Sequence, residues 1–330
     1  ICNILKYFAI KFNINGQNMF PVNDLTVLIV TFKTNHKILD DCIKSIDGKS
    51  KIIIVENSND EEFKKEYEKK FSNIEVFLSG KNLGYGVGNN FGLNLVKTNY
   101  ALISNPDVVY ENDFFSSIDY YIKKNVDFDI MGPMYRREDY ASYGHFDDLI
   151  KIAPKRISSN ESSLVSAHWI VGCTMFLNLK KFKNRNLFDE NFFLYFEEFD
   201  LCRQVIIKKG KIYASKKLYV NHLGHKGSAA TDPQYSIETE MFRNWHWMWS
   251  SFYFYKKNYN FFYAIKSMYG KFFRSLFKMI FFRIFYNEKK FTMYYARFSG
   301  ILNCFLGKKS WYRVKSLFQW PGNSIKFSIL

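Results

Sequence analysis

The sequence lacks the features by which secreted proteins, proteins with a structural metal site and membrane-spanning proteins are usually recognised. Its five cysteines, at positions 2, 42, 173, 202 and 304, are odd in number and form no C-x-x-C pair. This argues against a disulfide framework or a structural zinc site and favours a reducing compartment. No stretch of about 18 residues is free of charge, so a membrane-spanning helix is not expected. The first twenty residues contain no unbroken apolar core with a cleavage site, so we expect no signal peptide, and Met19 is a candidate start.

Acidic residues are nearly missing from the last eighty positions. Residues 251–330 carry fifteen Lys and Arg but one acid, Glu288, for a net charge of +14, whereas the whole 330-residue chain carries +16. Between 259 and 286 many Phe and Tyr accompany Lys271, Arg274 and Lys278, which have helical i, i+3, i+7 spacing. A basic face opposite an aromatic face is typical of a helix lying in a membrane interface. A helical subdomain packed on the main body, or a nucleic-acid patch with stacking aromatics, are the alternatives.

The remaining chain has a strand–helix alternation. Apolar residues make up 47% and charged residues 24%, which excludes wholesale disorder. Apolar runs predict strands at 25–31, 51–55, 74–78, 100–104 and 129–131, and periodic segments predict helices at 36–46, 60–71, 85–97 and 111–124. We further expect loops over 133–166, a strand at 169–177, a helix ending at Gly210 and a strand at 217–221. The alternation predicts βαβ units and a mostly parallel sheet, with ligands beyond the carboxyl ends of its strands.

Polar and glycine-rich segments follow the second and third strands. Glu56 and Asn57 come directly after the second strand, where short polar groups cap the next helix or bind a nucleobase or ribose; taken alone, capping is favoured. Residues 82–92 have G-x-G-x-G-x-x-x-G spacing, which matches neither the dinucleotide-binding fingerprint nor the P-loop. Because glycines and a helix start allow close approach of phosphate, a general nucleotide contact is indicated.

Three further groups of residues carry chemistry. Asp107 follows an apolar strand, where it is either a turn residue or one carboxylate that holds Mg²⁺ or Mn²⁺ together with a diphosphate. Glu197, Glu198 and Asp200 lie among aromatic residues, which raises carboxyl pKa values toward those of a general base, although acids also suit a helix start. His222 opens an H-x-x-H motif without further zinc ligands, so it could complete a metal shell or touch a phosphate.

Taken together, the motifs resemble the inverting glycosyltransferases of family 2, particularly their rhamnosyltransferase-like branch. The resembling segments, in order, are VTFKTNHKILDDCIKSI, IIIVENSND, NLGYGVGNNFGLN, ALISNPDVVY, GCTMFLNLKKF, FDENFFLYFEEFDLC and VNHLGHKGS. The resemblance implies a GT-A fold, an α/β fold with a Rossmann-like, mostly parallel sheet flanked by helices. The resemblance covers roughly residues 25–255. Together with the charge pattern it divides the chain into an N-terminal extension (1–23), a GT-A domain (24–255) and a basic, aromatic, helical C-terminal region (256–330).

The resemblance also implies roles for single residues. Asp107 matches the metal-binding acid of the family and His222 a histidine near the donor phosphates, so both are metal-ligand candidates for Mg²⁺ or Mn²⁺. Glu198 matches the general base, with Glu197 and Asp200 as supporting acids. Contacts to the nucleotide-sugar are expected from Thr31, Glu56, Asn57, Asn82, Gly84, Tyr85, Asn105, Asp107 and His222.

The sequence departs from the family pattern in places. The acidic pair is Glu-Glu rather than Glu-Asp, which lengthens the base by one methylene, and Glu56 replaces the usual Asp, which weakens the expectation for base selectivity. Asn186 and Leu187 replace a common glycine pair, and Arg203 is displaced by one residue.

The function implied by the resemblance is inverting, metal-dependent transfer of a sugar, with rhamnose among the candidates. The donor would be dTDP-rhamnose or a UDP-sugar, and the acceptor a saccharide or lipid-linked saccharide in the synthesis of cell-surface polysaccharide such as O-antigen. We expect a cytoplasmic protein, peripheral at the inner face of the cell membrane and attached through its C-terminal region. A nucleotidyltransferase on a similar sheet, a nucleic-acid-binding protein using the basic tail and a non-catalytic relative are the alternatives; nucleic acid is disfavoured.

Overall fold

Strands and helices alternate through the first half of the chain. The computed structural model describes residues 24–135, 143–146, 152–155, 163–224 and 236–313, so the predicted extension 1–23 lies outside the described residues. The first elements are β1 (Leu25–Thr31), α1 (His36–Ser45), β2 (Lys51–Glu56), α2 (Glu61–Lys70), β3 (Ile74–Leu78), α3 (Tyr85–Leu95), β4 (Tyr100–Ser104), β5 (Val108–Tyr110), α4 (Phe114–Lys123) and β6 (Ile130–Tyr135).

The second half contains short strands and then long helices. These elements are β7 (Tyr143–Phe146), β8 (Ile152–Lys155), β9 (Leu164–Ala167), β10 (Trp169–Ile170), β11 (Thr174–Asn178), a 3₁₀ turn (Leu179–Lys181), α5 (Glu197–Ile207), β12 (Ile212–His222), α6 (Ser236–Asn258), α7 (Phe261–Ile284) and α8 (Glu288–Phe305). Local chemistry explains several boundaries. Asn35 and Asp60 accept hydrogen bonds from first-turn N–H groups of α1 and α2, which satisfies donors that have no partner within a helix.

Nine of the described strands form one mixed sheet. Its order is β3-β2-β1-β4-β11-β6-β12-β5, and β9 pairs with β12 outside this path. The β3-β2-β1-β4 half is parallel, whereas β11 is antiparallel to both of its neighbours. The described strands β10, β7 and β8 form a small antiparallel sheet. The predicted α/β fold with parallel βαβ units is confirmed.

The register of the strands brings their functional ends together. Thr31 at the end of β1 pairs with Glu56 at the end of β2, and Ile29 pairs with Ser104 at the end of β4. β11 runs in the opposite direction, so its first residue, Thr174, also pairs with Ser104. The residues that follow β1, β2 and β4 and those that precede β11 therefore lie at one edge of the sheet, where α/β proteins bind ligands.

Helices cover both faces of the sheet. On one face α1, α2 and α4 bury Leu39, Phe63 and Phe114 against the strands, and on the other α3 and α5 bury Leu93 and Leu201. Continuous β-branched strands such as β2 suit this arrangement, because parallel strands are buried on both faces. The two cores fix the strand ends relative to one another.

The expectation of loops over 133–166 is wrong for most of the residues that can be compared. β6 extends to Tyr135, and β7, β8 and β9 also fall within this range, while 136–142, 147–151 and 156–162 lie outside the described residues. The strand expected at 169–177 is two strands, β10 and β11, and β12 begins five residues before the strand expected at 217–221. β7 to β10 are short, and β12 carries polar residues among its apolar ones, so these strands lack the continuous apolar runs that identify β1, β2 and β4.

The last three helices form a unit with its own core, which we call the helical unit (residues 236–305). Trp245, Met248, Met268, Ala296 and Ile301 are buried at its centre. α6 also packs on the main body, because Phe254 lies against Phe192 and Phe196. It runs through residue 255, where the sequence places a domain boundary, and the division of the chain at that point stays a prediction.

One face of α7 is apolar and exposed. We call six of its residues the outer row of α7; their spacing of seven, four, four, three and four follows the helical period. The outer row consists of Phe262, Tyr269, Phe273, Phe277, Ile280 and Ile284, which are 50–80% exposed. The opposite face buries Ala264, Met268 and Ser275 in the helical unit. The buried face agrees with the interpretation of this segment as a packed helical subdomain, and the membrane-interface interpretation stays a prediction. None of the described helices has the length and hydrophobicity needed to cross a membrane.

Candidate active site

The ends of β1 and β2 form the first wall of the site. Thr31 and Asn57 are buried, and the backbone N–H of Asn57 donates to the carbonyl of Thr31 at 2.9 Å. The Asn57 side chain donates from Nδ2 to the carbonyl of Gly84 at 3.1 Å. Its Oδ1 is buried without a hydrogen-bond partner among the described residues. The predicted donor-side residues of β1, β2 and the glycine-rich segment are thus brought together.

Glu56 organises the loop that follows β2. One of its carboxylate oxygens accepts from the N–H and the hydroxyl of Ser58, and the other accepts from the N–H of Asp60 at 2.9 Å. The side chain is 1% exposed. These contacts agree with the favoured interpretation of this segment as helix capping, since Asp60 caps α2. A contact between Glu56 and a nucleobase stays a prediction, and the geometry does not favour it.

The glycine-rich segment lies against the residues that precede α5. Gly84 has a φ of +81°, and a Cβ there would lie 2.3 Å from the carbonyl oxygen of Phe193, so only glycine fits. Asn82 Oδ1 accepts from the N–H of Gly84 at 2.9 Å, and the N–H of Tyr85 donates to Phe193 at 3.2 Å. The start of α3 is therefore covered by protein near Phe193, and this geometry does not support a phosphate contact at that helix start.

Asp107 and His222 lie together on neighbouring strands. Val108 pairs with His222 between β5 and β12, and His222 Nε2 lies 3.3 Å from Asp107 Oδ1. The side chain of Asp107 is 4% exposed and that of His222 24%. Asn105 is connected to the strand end by its N–H, which donates to the carbonyl of Cys173 at 2.7 Å. The sequence correctly places Asp107 at the carboxyl edge of the sheet.

Gly172 and Cys173 connect Asp107 with the acidic pair. Asn105, two residues before Asp107, bonds to Cys173, and a Cβ at Gly172 would lie 3.2 Å from Cβ of Glu198. The Tyr85 hydroxyl donates to the Gly172 carbonyl in a short hydrogen bond. Asp107 and Glu198 are therefore at the same edge of the sheet, on either side of the segment that enters β11.

The acidic pair opens α5 after a strained turn. Tyr195 and Phe196 have φ values of +69° and +71°, a conformation that costs about 1–3 kcal/mol for each non-glycine residue. Phe196 is held by packing against Phe254 of α6. Such strain persists only where the surrounding structure enforces it, and here it places Glu197 and Glu198 at the sheet edge.

Burial changes the protonation of both glutamates. It raises the pKa of Glu198 to about 7. Burial, followed by the negative charge of Glu198, raises the pKa of Glu197 well above its ordinary value. Glu197 Oε2 is buried without a hydrogen-bond partner among the described residues, which also favours its protonated form. Near neutral pH, Glu198 thus exchanges a proton readily while Glu197 retains its own.

Asp200 is directed toward α6. Its Oδ2 accepts from Lys257 Nζ at 2.6 Å and its Oδ1 from Asn258 Nδ2 at 2.8 Å. Lys257 also bonds to Asp189 at 2.7 Å. These contacts connect the helical unit to both ends of the segment that carries the acidic pair. The role of Asp200 as a supporting acid in catalysis stays a prediction, and its contacts are those of an anchor.

The comparisons with known proteins agree with this geometry. A family model described as "Glycosyl transferase family 2" matches residues 26–200, more than half of the chain. The chain belongs to glycosyltransferase family 2. The match includes β1 to β4, Asp107 and the acidic pair, and it ends at Asp200, before His222 and the helical unit.

Two curated relatives are members with described activities. The low-salt glycan biosynthesis hexosyltransferase Agl10 of Haloferax volcanii is 24% identical over 192 residues, which cover 55% of this chain and 61% of that protein. The rhamnosyltransferase WbbL of Escherichia coli K12 is 24% identical over 194 residues, which cover 52% of this chain and 73% of that protein. The chain thus spans about three-fifths of the length of the first relative.

Solved structures share the GT-A fold. The mannosyltransferase PcManGT from Pyrobaculum calidifontis, in complex with GDP-Man and Mn²⁺, has a TM-score of 0.51 and 9% identity, over 93% of this chain and 95% of that chain. GalNAc-T7 with UDP, GalNAc and Mn²⁺ has a TM-score of 0.51 and 13% identity, over 73% of this chain and 56% of that chain. At these identities the likeness shows the fold alone.

A divalent cation fits the donor set of this family 2 chain. No group of three His, Cys, Asp or Glu among the described residues could hold a metal by itself. Asp107 and His222 do supply one carboxylate and one imidazole at the sheet edge. Mg²⁺ and similar ions are commonly held by one or two carboxylates together with substrate phosphates and water, and the single carboxylate of Asp107 fits this pattern.

Sequence reasoning missed several residues that shape the site. Gly172 lies within what looks like one continuous strand, and the break before β11 gives no apolar or turn signal. The carbonyl of Phe193 and the ammonium group of Lys257 bond to residues that are far from them in sequence, so no local pattern reveals these contacts. The only available signal is the excess of acids at 189–200, which predicts a cation nearby without indicating which one.

Replacing Lys257 by Met should destabilise the family 2 chain. Asp200 and Asp189 would lose their shared cation, and leaving such partly buried carboxylates unpaired costs roughly 2 kcal/mol. Urea denaturation measures the loss. Lys256→Met is the matched control, because Lys256 is exposed and lies over the ring of Phe261 instead. Equal stability losses in the two variants would contradict the anchoring role.

Proposed function

We propose that this protein is an inverting glycosyltransferase that moves a sugar from a nucleoside-diphosphate donor to a hydroxyl group of a saccharide or lipid-linked acceptor. One observation carries the proposal. A half-buried glutamate whose pKa is raised to about 7, Glu198, shares the sheet edge with the Asp107–His222 pair. A general base and a diphosphate-binding acid on one edge are what glycosyl transfer from a nucleotide-sugar requires.

The residues act in a defined order. The donor nucleotide lies at the ends of β1 and β2, near Thr31 and Asn57, and its diphosphate lies at Asp107 and His222. Glu198 accepts the proton of the acceptor hydroxyl as that oxygen attacks the anomeric carbon. The new C–O bond forms on the face opposite the bond to the diphosphate, which breaks, so the configuration inverts. Glu197 stays protonated beside the base and adds no second negative charge.

Asp107 and His222 are the groups that would hold a divalent cation, Mg²⁺ or Mn²⁺. When bound, the cation supplies positive charge to the diphosphate oxygens of the leaving nucleotide. The Asp107 side chain is only 4% exposed. Because its surroundings exclude most water, its carboxylate would attract a bound cation more strongly than an exposed carboxylate would.

The relatives indicate which donors to test first. One is a rhamnosyltransferase and another a hexosyltransferase, and the solved structures hold UDP or GDP-Man. We therefore propose a hexose or deoxyhexose donor, with dTDP-rhamnose and UDP-sugars as the leading candidates. The product would belong to cell-surface polysaccharide.

Thermal denaturation with UDP, GDP or dTDP, each with and without Mn²⁺, tests the proposal. A ligand at about 100 times its Kd stabilises the folded state by about 2.7 kcal/mol, so one diphosphate should raise the melting temperature only with the metal. Hydrolysis of the matching nucleotide-sugar should follow the same metal dependence. Activation of a sugar phosphate by a nucleoside triphosphate would instead indicate a nucleotidyltransferase. Oligonucleotide binding that falls steeply with salt, without any diphosphate effect, would indicate a nucleic-acid-binding protein.

The rate should depend on pH through Glu198. Because its pKa is about 7, the free carboxylate that acts as base is scarce in acid and predominant in weak alkali. We expect kcat/KM to rise about tenfold per pH unit below about pH 6 and to level off above about pH 8. Glu190→Gln, an exposed change in the same segment, should keep this profile. A flat profile from about pH 5 to about pH 9 would remove Glu198 from the role.

We also propose that the protein works at the cytoplasmic face of a membrane. The outer row of α7 is exposed, and the exposed cations Lys266, Lys271 and Arg274 lie on the same helix. Apolar residues of this kind insert at the headgroup level, and each cation near anionic lipid contributes about 1 kcal/mol. Flotation with vesicles of phosphatidylcholine, with and without phosphatidylglycerol, tests this placement. No recovery with either vesicle would contradict the placement, and equal recovery with both would remove the contribution of the cations.

A further inference from the structure

An apolar groove of about 260 Å³ lies between α7 and α8 of the helical unit. Phe252, Met268 and Ile301 form its floor and are almost completely buried. Its sides and rim come from Ile265, Tyr269, Phe272, Phe273, Leu302 and Phe305. The lining is almost entirely carbon, so the groove offers nothing to a polar ligand, and only an apolar group gains by entering it.

The groove opens onto the surface that we assign to the membrane. Tyr269 and Phe273 belong both to its rim and to the outer row of α7, and each is 61% exposed. Phe305, at the other rim, is 44% exposed. A lipid surface in contact with the outer row would therefore meet the rim of the groove at Tyr269 and Phe273.

Three cations lie toward one end of the groove. Lys256 lies over the ring of Phe261, whose centroid is 5.5 Å from that of Phe305. Lys308 and Lys309, both exposed, follow α8 three and four residues after Phe305. The one acid of residues 251–313, Glu288, is paired with Arg283 at 2.7 Å. This end of the groove is thus complementary to an anionic group, and a second copy of the same basic surface would be repelled.

From this arrangement we propose that the groove binds one hydrocarbon chain of an anionic membrane lipid, whose headgroup lies near Lys256, Lys308 and Lys309. The proposal rests on the membrane placement given under the proposed function and adds a specific site to it. Lipid bound in this way would orient the helical unit on the bilayer. Because α6 bonds to Asp200 and Asp189, it would also orient the catalytic edge relative to the membrane surface.

Photo-crosslinking tests the groove in the full chain. The protein is bound to phosphatidylcholine vesicles that contain a phosphatidylglycerol with a diazirine at the end of one acyl chain, then irradiated and mapped by mass spectrometry. We expect adducts on Met268, Phe272 or Ile301, which lie inside the groove. Adducts confined to Phe277, Ile280 and other outer-row residues beyond the groove would overturn the proposal, since they need only an interface.

A pair of matched variants sharpens the result. Leu302→Trp fills the groove with a larger side chain. Because a filled groove excludes an acyl chain, the variant should lower the yield of groove adducts at least about fivefold. Its flotation with vesicles should persist. Leu306→Trp makes the same change at an exposed position outside the lining and should keep the adducts. If Leu302→Trp lowers the melting temperature of the protein, Ile265→Phe is used in its place, because Ile265 also lines the groove. Equal loss of adducts in the variants at 302 and 306 would overturn the proposal. So would a dimer, detected by light scattering, that the substitution Phe273→Ser converts to monomers, since a second copy would then occupy the groove.

The outcomes also separate the groove from the chemistry. Crosslinking requires neither donor nor acceptor, so a protein that transfers no sugar can still carry groove adducts. Conversely, metal-dependent binding of a nucleoside diphosphate with no groove adducts would leave the proposed transfer reaction standing and remove the lipid site.

Discussion

Replacing Glu198 by Gln should lower kcat by roughly 10²–10⁴-fold, the usual contribution of a general base. The amide has nearly the size of the carboxylate but cannot accept a proton from the acceptor hydroxyl. It should fit the same place beside Gly172, because Cβ and Cγ, the side-chain atoms that lie closest to where a Cβ of that residue would be, are unchanged. Initial rates with a saturating donor measure the loss, and the Kd for the nucleoside diphosphate with Mn²⁺ should stay near that of the parent.

Two controls separate the base from its surroundings. Glu190→Gln makes the same chemical change at an exposed position in the same segment and should leave kcat unaltered. Glu197→Gln removes a group that is already protonated, so we expect a much smaller effect than at Glu198. Turnover of the Glu198 variant within a few-fold of the parent would exclude it as the base.

Replacing Asp107 by Asn should weaken metal-dependent donor binding at least about tenfold, the lower end of what even outer-shell groups contribute to a metal site. The amide keeps the shape of the buried side chain but loses the negative charge that a hard cation requires. Calorimetric titration of the nucleoside diphosphate, with Mn²⁺ and with a chelator, measures both affinities. The affinity for the diphosphate measured in the presence of the chelator should change little.

Asp113→Asn is the matched control, because Asp113 is exposed and lies just beyond β5. It should bind the diphosphate and Mn²⁺ as the parent does. An Asp107 variant that loses equal affinity with and without metal would indicate a structural role. An effect limited to the acceptor would contradict the assignment altogether.

The parallel half of the sheet is readable from sequence because its physics is local. β1, β3 and β4 have the bounds that their apolar runs predict, and β2 extends one residue further, to Glu56. A strand buried on both faces must be apolar throughout, so its ends are marked where polar residues begin. The same rule locates Asp107, since the residues that follow such a strand end lie at the carboxyl edge.

The remaining strands are set by partners that are distant in sequence. β9 is paired with β12, and β12 shifts register against β6 between Ala214 and Tyr219. Strands held by one neighbour or interrupted in this way keep polar residues, so their pattern resembles that of a loop. The predicted acidic pair lies at the site, but its orientation depends on α6, which no local pattern connects to Glu198.

The pair of glutamates that opens α5 makes the stability of the fold depend on pH. A carboxyl group whose pKa rises from an ordinary 4.5 to about 7 on folding binds its proton more tightly in the native state than in the unfolded chain. Between about pH 4.5 and about pH 7 the native state therefore holds more protons, and the free energy of unfolding declines as the pH rises. The free energy of unfolding thus falls over the same pH interval in which the carboxylate form of Glu198, the proposed base, increases. Such an exchange of stability for activity is common at active sites.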